Sequence, residues 1–135
     1  MKNLFLLSII FCLLSCGGST VTEKETGFTL DQSNPESVVQ AIFEAAKTGN
    51  YDLLTGLCDP LGEGDGDTRR ICSAKEASEK DLADFVTYFK DGKTTGAARI
   101  ENDEAYVPFL FGPDATETEE MVLINREGKW YLYSF

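Results

Sequence analysis

The chain contains no histidine and one tryptophan, and its acidic residues outnumber its basic ones by 23 to 12. Without histidine, the commonest general base and the commonest neutral metal ligand are both missing. A formal charge of −11 repels phosphate backbones, which sets nucleic acid aside as a partner. The same charge gains nothing from an anionic lipid surface. Long apolar runs are scarce as well. Only Leu4 to Leu14, interrupted by Ser8, qualifies. At ~11 residues it suits the apolar core of a signal peptide and is too short to cross a ~30 Å hydrocarbon layer as a helix.

What is present starts at that run. Lys2 precedes it, and Leu13-Leu14-Ser15-Cys16 follows. The order of basic start, apolar core, small residue and cysteine resembles the lipobox of bacterial lipoproteins. The plainer alternative is a secretory signal that happens to hold a cysteine. The resemblance implies cleavage before Cys16, lipidation of Cys16, and residues 1–15 as a discarded signal peptide. The mature protein would then be held to a membrane of the bacterial cell envelope by its acyl chains, which anchor stably when there are two or more. Gly17 after the lipid cysteine resembles export to the outer membrane in enteric-type bacteria. Loss of Lys2 would take the formal charge to −12.

Of the four cysteines, Cys12 leaves with the signal and Cys16 is the lipid site. Cys58 and Cys72 remain as an even pair, and in an oxidising compartment a disulfide between them is expected. Two buried free thiols are the alternative. Metal ligation by this pair is poor, because no histidine completes a site.

Residues 16–33 are polar and read as a lipidated cysteine followed by a flexible tether. Residues 34–135 read as one domain. Asn34 caps a first helix with Pro35 at its first position, and Val38, Val39, Ile42, Phe43 and Ala46 form its apolar face up to Gly49. Asn50 opens a short second helix over Tyr51 to Leu57. Asp59 to Asp67 reads as an acidic loop, followed by Arg69 and Arg70, which would partly neutralise it. Ser73 and Glu76 have capping-box spacing for a third helix running to Lys90, with Leu82, Phe85, Val86 and Phe89 as its stripe. Four antiparallel strands then follow: a weak one over Thr94 to Glu101, a stronger one over Glu104 to Phe111, and a hairpin of Glu119 to Arg126 and Lys129 to Phe135 closed at Glu127-Gly128. Pro108 predicts a bulge or an edge. Period-2 alternation puts Trp130 and Leu132 on one face of the last strand and Tyr131, Tyr133 and Phe135 on the other.

Three motifs in this order carry a further resemblance: Asn34-Pro35-Glu36-Ser37-Val38-Val39, Thr48-Gly49-Asn50-Tyr51-Asp52-Leu53-Leu54, and Asn125-Arg126-Glu127-Gly128-Lys129-Trp130-Tyr131-Leu132. Over residues 34–135 the chain resembles the nuclear-transport-factor-2-like superfamily, and within it the small bacterial lipoproteins grouped as a domain of unknown function. The resemblance implies an α+β fold in which three N-terminal helices pack on a curved four-stranded antiparallel sheet, cone-shaped and cystatin-like, with a pocket between helix and sheet. Members of that superfamily include isomerase-like enzymes, ligand binders and protein-contact modules, so the fold leaves function open.

Phe43, Phe85, Phe109 and Trp130 are the candidates for a ligand pocket, although aromatics on inward faces are also what any α+β core needs. No catalytic residue, cofactor or metal site is assigned. Glu63, Asp65 and Asp67 alternate as calcium ligands can, but Thr68 stands where an EF-hand has its turn glycine, and a solvated acidic loop is the plainer reading. The expected function is a non-enzymatic, lipid-anchored binding or protein-interaction module whose protein partner the sequence does not name, with a homodimer through the sheet as one form. The alternative is a small-molecule binder or isomerase-like enzyme using the pocket between helix and sheet.

Overall fold

The computed structural model describes residues 27–135; Cys16, the expected signal peptide and most of the expected tether lie outside them. Helix α1 (Pro35–Thr48) begins where Asn34 accepts a hydrogen bond from the Ser37 N–H, and it ends at Gly49 with φ 75°, a left-handed cap. Its burial exceeds one stripe. Val38, Val39, Ala41, Ile42, Phe43, Ala45 and Ala46 are all buried. A helix covered on more than one face sits between layers, and α1 contacts both the sheet and helix α3 (Glu79–Phe89).

The other helices depart from expectation. Tyr51–Leu54 is a single 3₁₀ turn, shorter than the helix expected to Leu57. Helix α2 (Gly66–Cys72), which was not expected, takes in the last two residues of the acidic loop and runs on past it, because Asp65 caps it by accepting from the Thr68 N–H. The Ser73–Glu76 spacing yields only a 3₁₀ turn (Ala74–Glu76), and Ser78 is the actual cap of α3, accepting from the Asp81 N–H. A rule that scores spacing cannot choose between two serines five residues apart when acidic residues follow both.

The sheet is antiparallel, open and five-stranded: β1 (Lys93–Thr94), β2 (Arg99–Glu101), β3 (Glu104–Phe111), β4 (Glu117–Arg126) and β5 (Lys129–Ser134). The weak strand expected over 94–101 is split into β1 and β2, both paired with β3. Pro108 faces the interruption between them. Its carbonyl accepts from the Thr95 N–H, and its nitrogen, which has no hydrogen to offer, lies on the same side. The β4–β5 hairpin closes with Glu127 at φ 53° and Gly128 at φ 85°; positive φ at both central residues gives the turn the twist that the strands need. α3 ends at Phe89, just before Asp91-Gly92, and a side chain at position 92 would meet the Phe43 ring 2.5 Å away, so a bare backbone lets α1 close on this corner.

One irregularity changes which face a residue occupies. Leu132 pairs with Leu123, but Ser134 pairs with Val122, so β5 holds one extra residue at Tyr133. Such a bulge reverses the alternation beyond it. Phe135, expected on the outer face with Tyr131 and Tyr133, instead packs against Phe89, Phe109 and Phe111 on the inner side.

Residues 28–33 also differ from a free tether. Phe28 and Leu30 pack against the core. The Gln32 carbonyl accepts from the Trp130 N–H at 2.8 Å, and the Gln32 side-chain amide donates to the Trp130 carbonyl.

Candidate functional site

The space between α1 and the sheet is filled. Phe43, Phe109 and Trp130 are buried, and the rings of Phe43 and Phe109 touch with centroids 5.9 Å apart. Among the described residues, every buried side-chain nitrogen or oxygen has a hydrogen-bond partner. Three of the four pocket candidates are therefore core. Phe85 alone lines an opening, and that opening lies elsewhere.

The acidic loop is fastened at three points. Cys58 and Cys72 lie at disulfide-bonding distance, with Cα atoms 5.7 Å apart. Asp59, whose side chain is fully buried, accepts from Arg126 Nε at 3.1 Å and Nη2 at 3.3 Å, and from the N–H groups of Leu61 and Glu63. The Arg126 guanidinium holds the Asp59 carboxyl below the usual carboxylate range; burial pushes the other way, and the Glu63 and Leu61 N–H groups reinforce the arginine. Arg126 also pairs with Glu63 at 2.6 Å. Asp59 and Glu63 are therefore neutralised from the distant hairpin, and of the expected pair Arg69 and Arg70 only Arg70 meets an acid of the loop. Arg69 donates to the Gly64 carbonyl and Arg70 pairs with the exposed Asp67.

Asp65 forms the third fastening. It accepts from the Thr68 N–H and hydroxyl, both at 2.8 Å, and from the Phe135 N–H at 3.0 Å. Burial pushes its carboxyl up, but these hydrogen bonds outweigh burial and the net shift is downward. The alternating Glu63, Asp65 and Asp67 thus face different partners, and among the described residues no three metal-ligating side chains converge. The fastened loop runs beside β5. The Leu132 N–H donates to the Leu57 carbonyl and the Asp65 N–H to the Tyr133 carbonyl, so the segment from Leu57 to Asp65 covers a sheet edge that would otherwise be open to pairing.

Among the described residues a groove of about 820 Å³ opens between α2 and α3 at the end of the sheet. Its floor is aromatic: Phe85, Tyr88, Phe89, Phe111 and Phe135. The rings form a continuous chain, with Phe85–Phe89 at 5.2 Å, Phe89–Phe111 at 5.8 Å and Tyr88–Phe111 at 6.3 Å. Tyr88 is 42% exposed. The walls are acidic. Asp67 stands on α2, Glu76 on the 3₁₀ turn between the two helices, and Asp81 and Asp84 on α3, with Arg70 as the one cation among the described lining residues. Asp81, Asp84, Phe85 and Tyr88 come together because three- and four-residue steps share a helix face.

Sequence reasoning singled out Phe85 but missed Tyr88, Phe111 and Phe135 as its neighbours. Tyr88 was legible, three residues beyond Phe85 on the same helix face. Phe135 was not, because nothing in Tyr131-Leu132-Tyr133-Ser134 announces a bulge. No family model matches the chain, and neither a curated protein nor a solved structure is significantly similar to it.

Proposed function

We propose that this protein is a lipid-anchored, non-enzymatic binding module of the bacterial cell envelope, in which a nuclear-transport-factor-2-like domain over residues 34–135 presents the groove between α2 and α3 to a partner. The lipobox-like Leu13-Leu14-Ser15-Cys16 supports the anchoring. The observation that carries the binding mode is the contrast between the two apolar spaces. The interior beside α1 is packed with Phe43 and Phe109, whereas four rings of the groove floor, Phe85, Tyr88, Phe111 and Phe135, stay partly open over a buried Phe89. An isomerase-like site needs a desolvated carboxylate facing a cavity. Here the most buried carboxylate, Asp59, is occupied by Arg126 and two N–H groups.

A photoreactive side chain placed at position 88, in the protein in its native membrane, tests this reading. Crosslinks to a discrete partner are expected from position 88 and not from position 127 at the hairpin tip. Equal crosslinking from both, or none from 88, contradicts it. The sheet's outer face, with half-buried Tyr106, Val122, Tyr131 and Tyr133, is the surface for a homodimer, and light scattering on the purified protein reads that association directly.

A further inference from the structure

We infer that the groove between α2 and α3 takes a basic segment of a partner protein in which cationic and apolar residues alternate. The inference rests on the proposed binding role of the groove and adds the chemistry of what fills it. Two features of the surface set that chemistry. The floor of Phe85, Tyr88, Phe89, Phe111 and Phe135 offers rings to apolar or cationic groups. The walls carry four carboxylates against one guanidinium, and that guanidinium, Arg70, is paired with Asp67. Glu76 and Asp81 have no basic partner among the described residues. Asp84 is held only by the exposed Lys80, a pair weak enough to give up in favour of an incoming cation.

Shape then selects among cations. A small-molecule site buries most of its ligand's surface. This groove is open to solvent along one side, with α2 as one wall and α3 as the other, which fits a chain laid across it better than an enclosed ligand. In an extended segment alternate side chains point to opposite faces. Apolar residues would face the rings, and the long stems of Arg or Lys would lie over the floor with their charges reaching Asp81 and Asp84 on α3 and Glu76 on the turn between the helices. Acidic segments and phosphate-bearing ligands meet the same carboxylates as repulsion.

The test uses the purified full chain in phosphatidylcholine nanodiscs, with empty nanodiscs subtracted, and two blocked five-residue peptides. One alternates Arg and Leu; the other has Glu for Arg. Isothermal titration is expected to show one-to-one binding of the Arg–Leu peptide and none of the Glu–Leu peptide. Asp81→Asn with Asp84→Asn should weaken binding at least about fivefold, and Tyr88→Ala by about the same factor. Asp103→Asn with Glu127→Gln, which removes as much charge far from the groove, should change it less than about twofold. Equal weakening by the two charge pairs would reduce the effect to net charge and overturn the inference. So would comparable binding of the Glu–Leu peptide, or no binding of either. If crosslinks from position 88 persist while the Arg–Leu peptide fails, the groove docks a partner whose chemistry is not basic. If both fail, the groove is not a docking face.

Discussion

Asp59 and Arg126, 67 residues apart in the chain, meet as a two-point ion pair with Nε–Oδ1 at 3.1 Å and Nη2–Oδ2 at 3.3 Å. Two parallel hydrogen bonds between a planar guanidinium and a carboxylate fix orientation as well as distance. This pair ties the start of the acidic loop to the β4–β5 hairpin, and the remaining oxygen capacity of Asp59 organises the turn through Leu61 and Glu63.

Replacing Asp59 should therefore destabilise the fold. Asp59→Ala leaves two N–H groups without their acceptor and Arg126 with Glu63 alone, an effect of about 2 kcal/mol. Asp67→Ala, which removes only an exposed partner of Arg70, should stay within about 0.5 kcal/mol. Urea denaturation of the two variants beside the parent compares them directly. Equal effects would mean that the buried pair contributes no more than a surface one.

Acid should expose the same fastenings. Asp59 and Asp65 both have carboxyl pKa values lowered from an unfolded value near 3.8. A carboxyl depressed in the folded state contributes stability that is complete above its unfolded value and is lost as pH falls through the folded one. The urea midpoint is expected to hold at about pH 5 and to fall steeply below about pH 4. Asp59→Asn should flatten that fall, having given up its share already at neutral pH. An unchanged slope would show that other carboxylates control acid unfolding.

The Cys58–Cys72 link closes a segment with a sequence separation of 14. Chain-entropy reasoning assigns about 3 kcal/mol to a closure of that size. The double variant Cys58→Ala/Cys72→Ala should lose about 2–3 kcal/mol and become sensitive to proteolysis between Pro60 and Gly64, the stretch that includes exposed Leu61. Unchanged stability and unchanged cleavage would deny the link a fastening role.

The bulge at Tyr133 makes its own prediction. With Phe135 packed among Phe89, Phe109 and Phe111, Phe135→Ala should lose about 2 kcal/mol, less than a fully buried phenylalanine because the ring is part of the groove floor. Strict alternation would put Phe135 on the open face, where the same change stays near zero. Thermal unfolding of Phe135→Ala, with Tyr131→Ala as the outer-face reference, separates the two placements.

Local chemistry explains how much of this was legible. The cap and face of α1, the hairpin turn at Glu127-Gly128 and the strong strand from Glu104 to Phe111 all follow from signals within a few residues, and the structure has them. The α+β class follows from their order. Where neighbours compete the reading slips. Ser73 and Ser78 both offer caps, and the helix starts at Ser78, which accepts from the Asp81 N–H. Long-range partners were invisible for a different reason. Nothing near Arg126 in the chain points to Asp59, and nothing near Phe135 reports the extra residue in β5, because both depend on how separate segments pack. The pocket residues illustrate the same limit. Phe43 and Phe85 are alike in sequence, each an aromatic on an amphipathic helix, yet one is sealed between α1 and the sheet and the other lines a groove.

Lipid attachment at Cys16 is the proposal on which an envelope location depends, and the intact mass of the protein purified from membranes tests that proposal most directly. The expected product begins at Cys16 and carries the added mass of acyl chains on that residue. A product that retains residues 1–15, or one that begins at Cys16 with no acyl mass, would contradict the account.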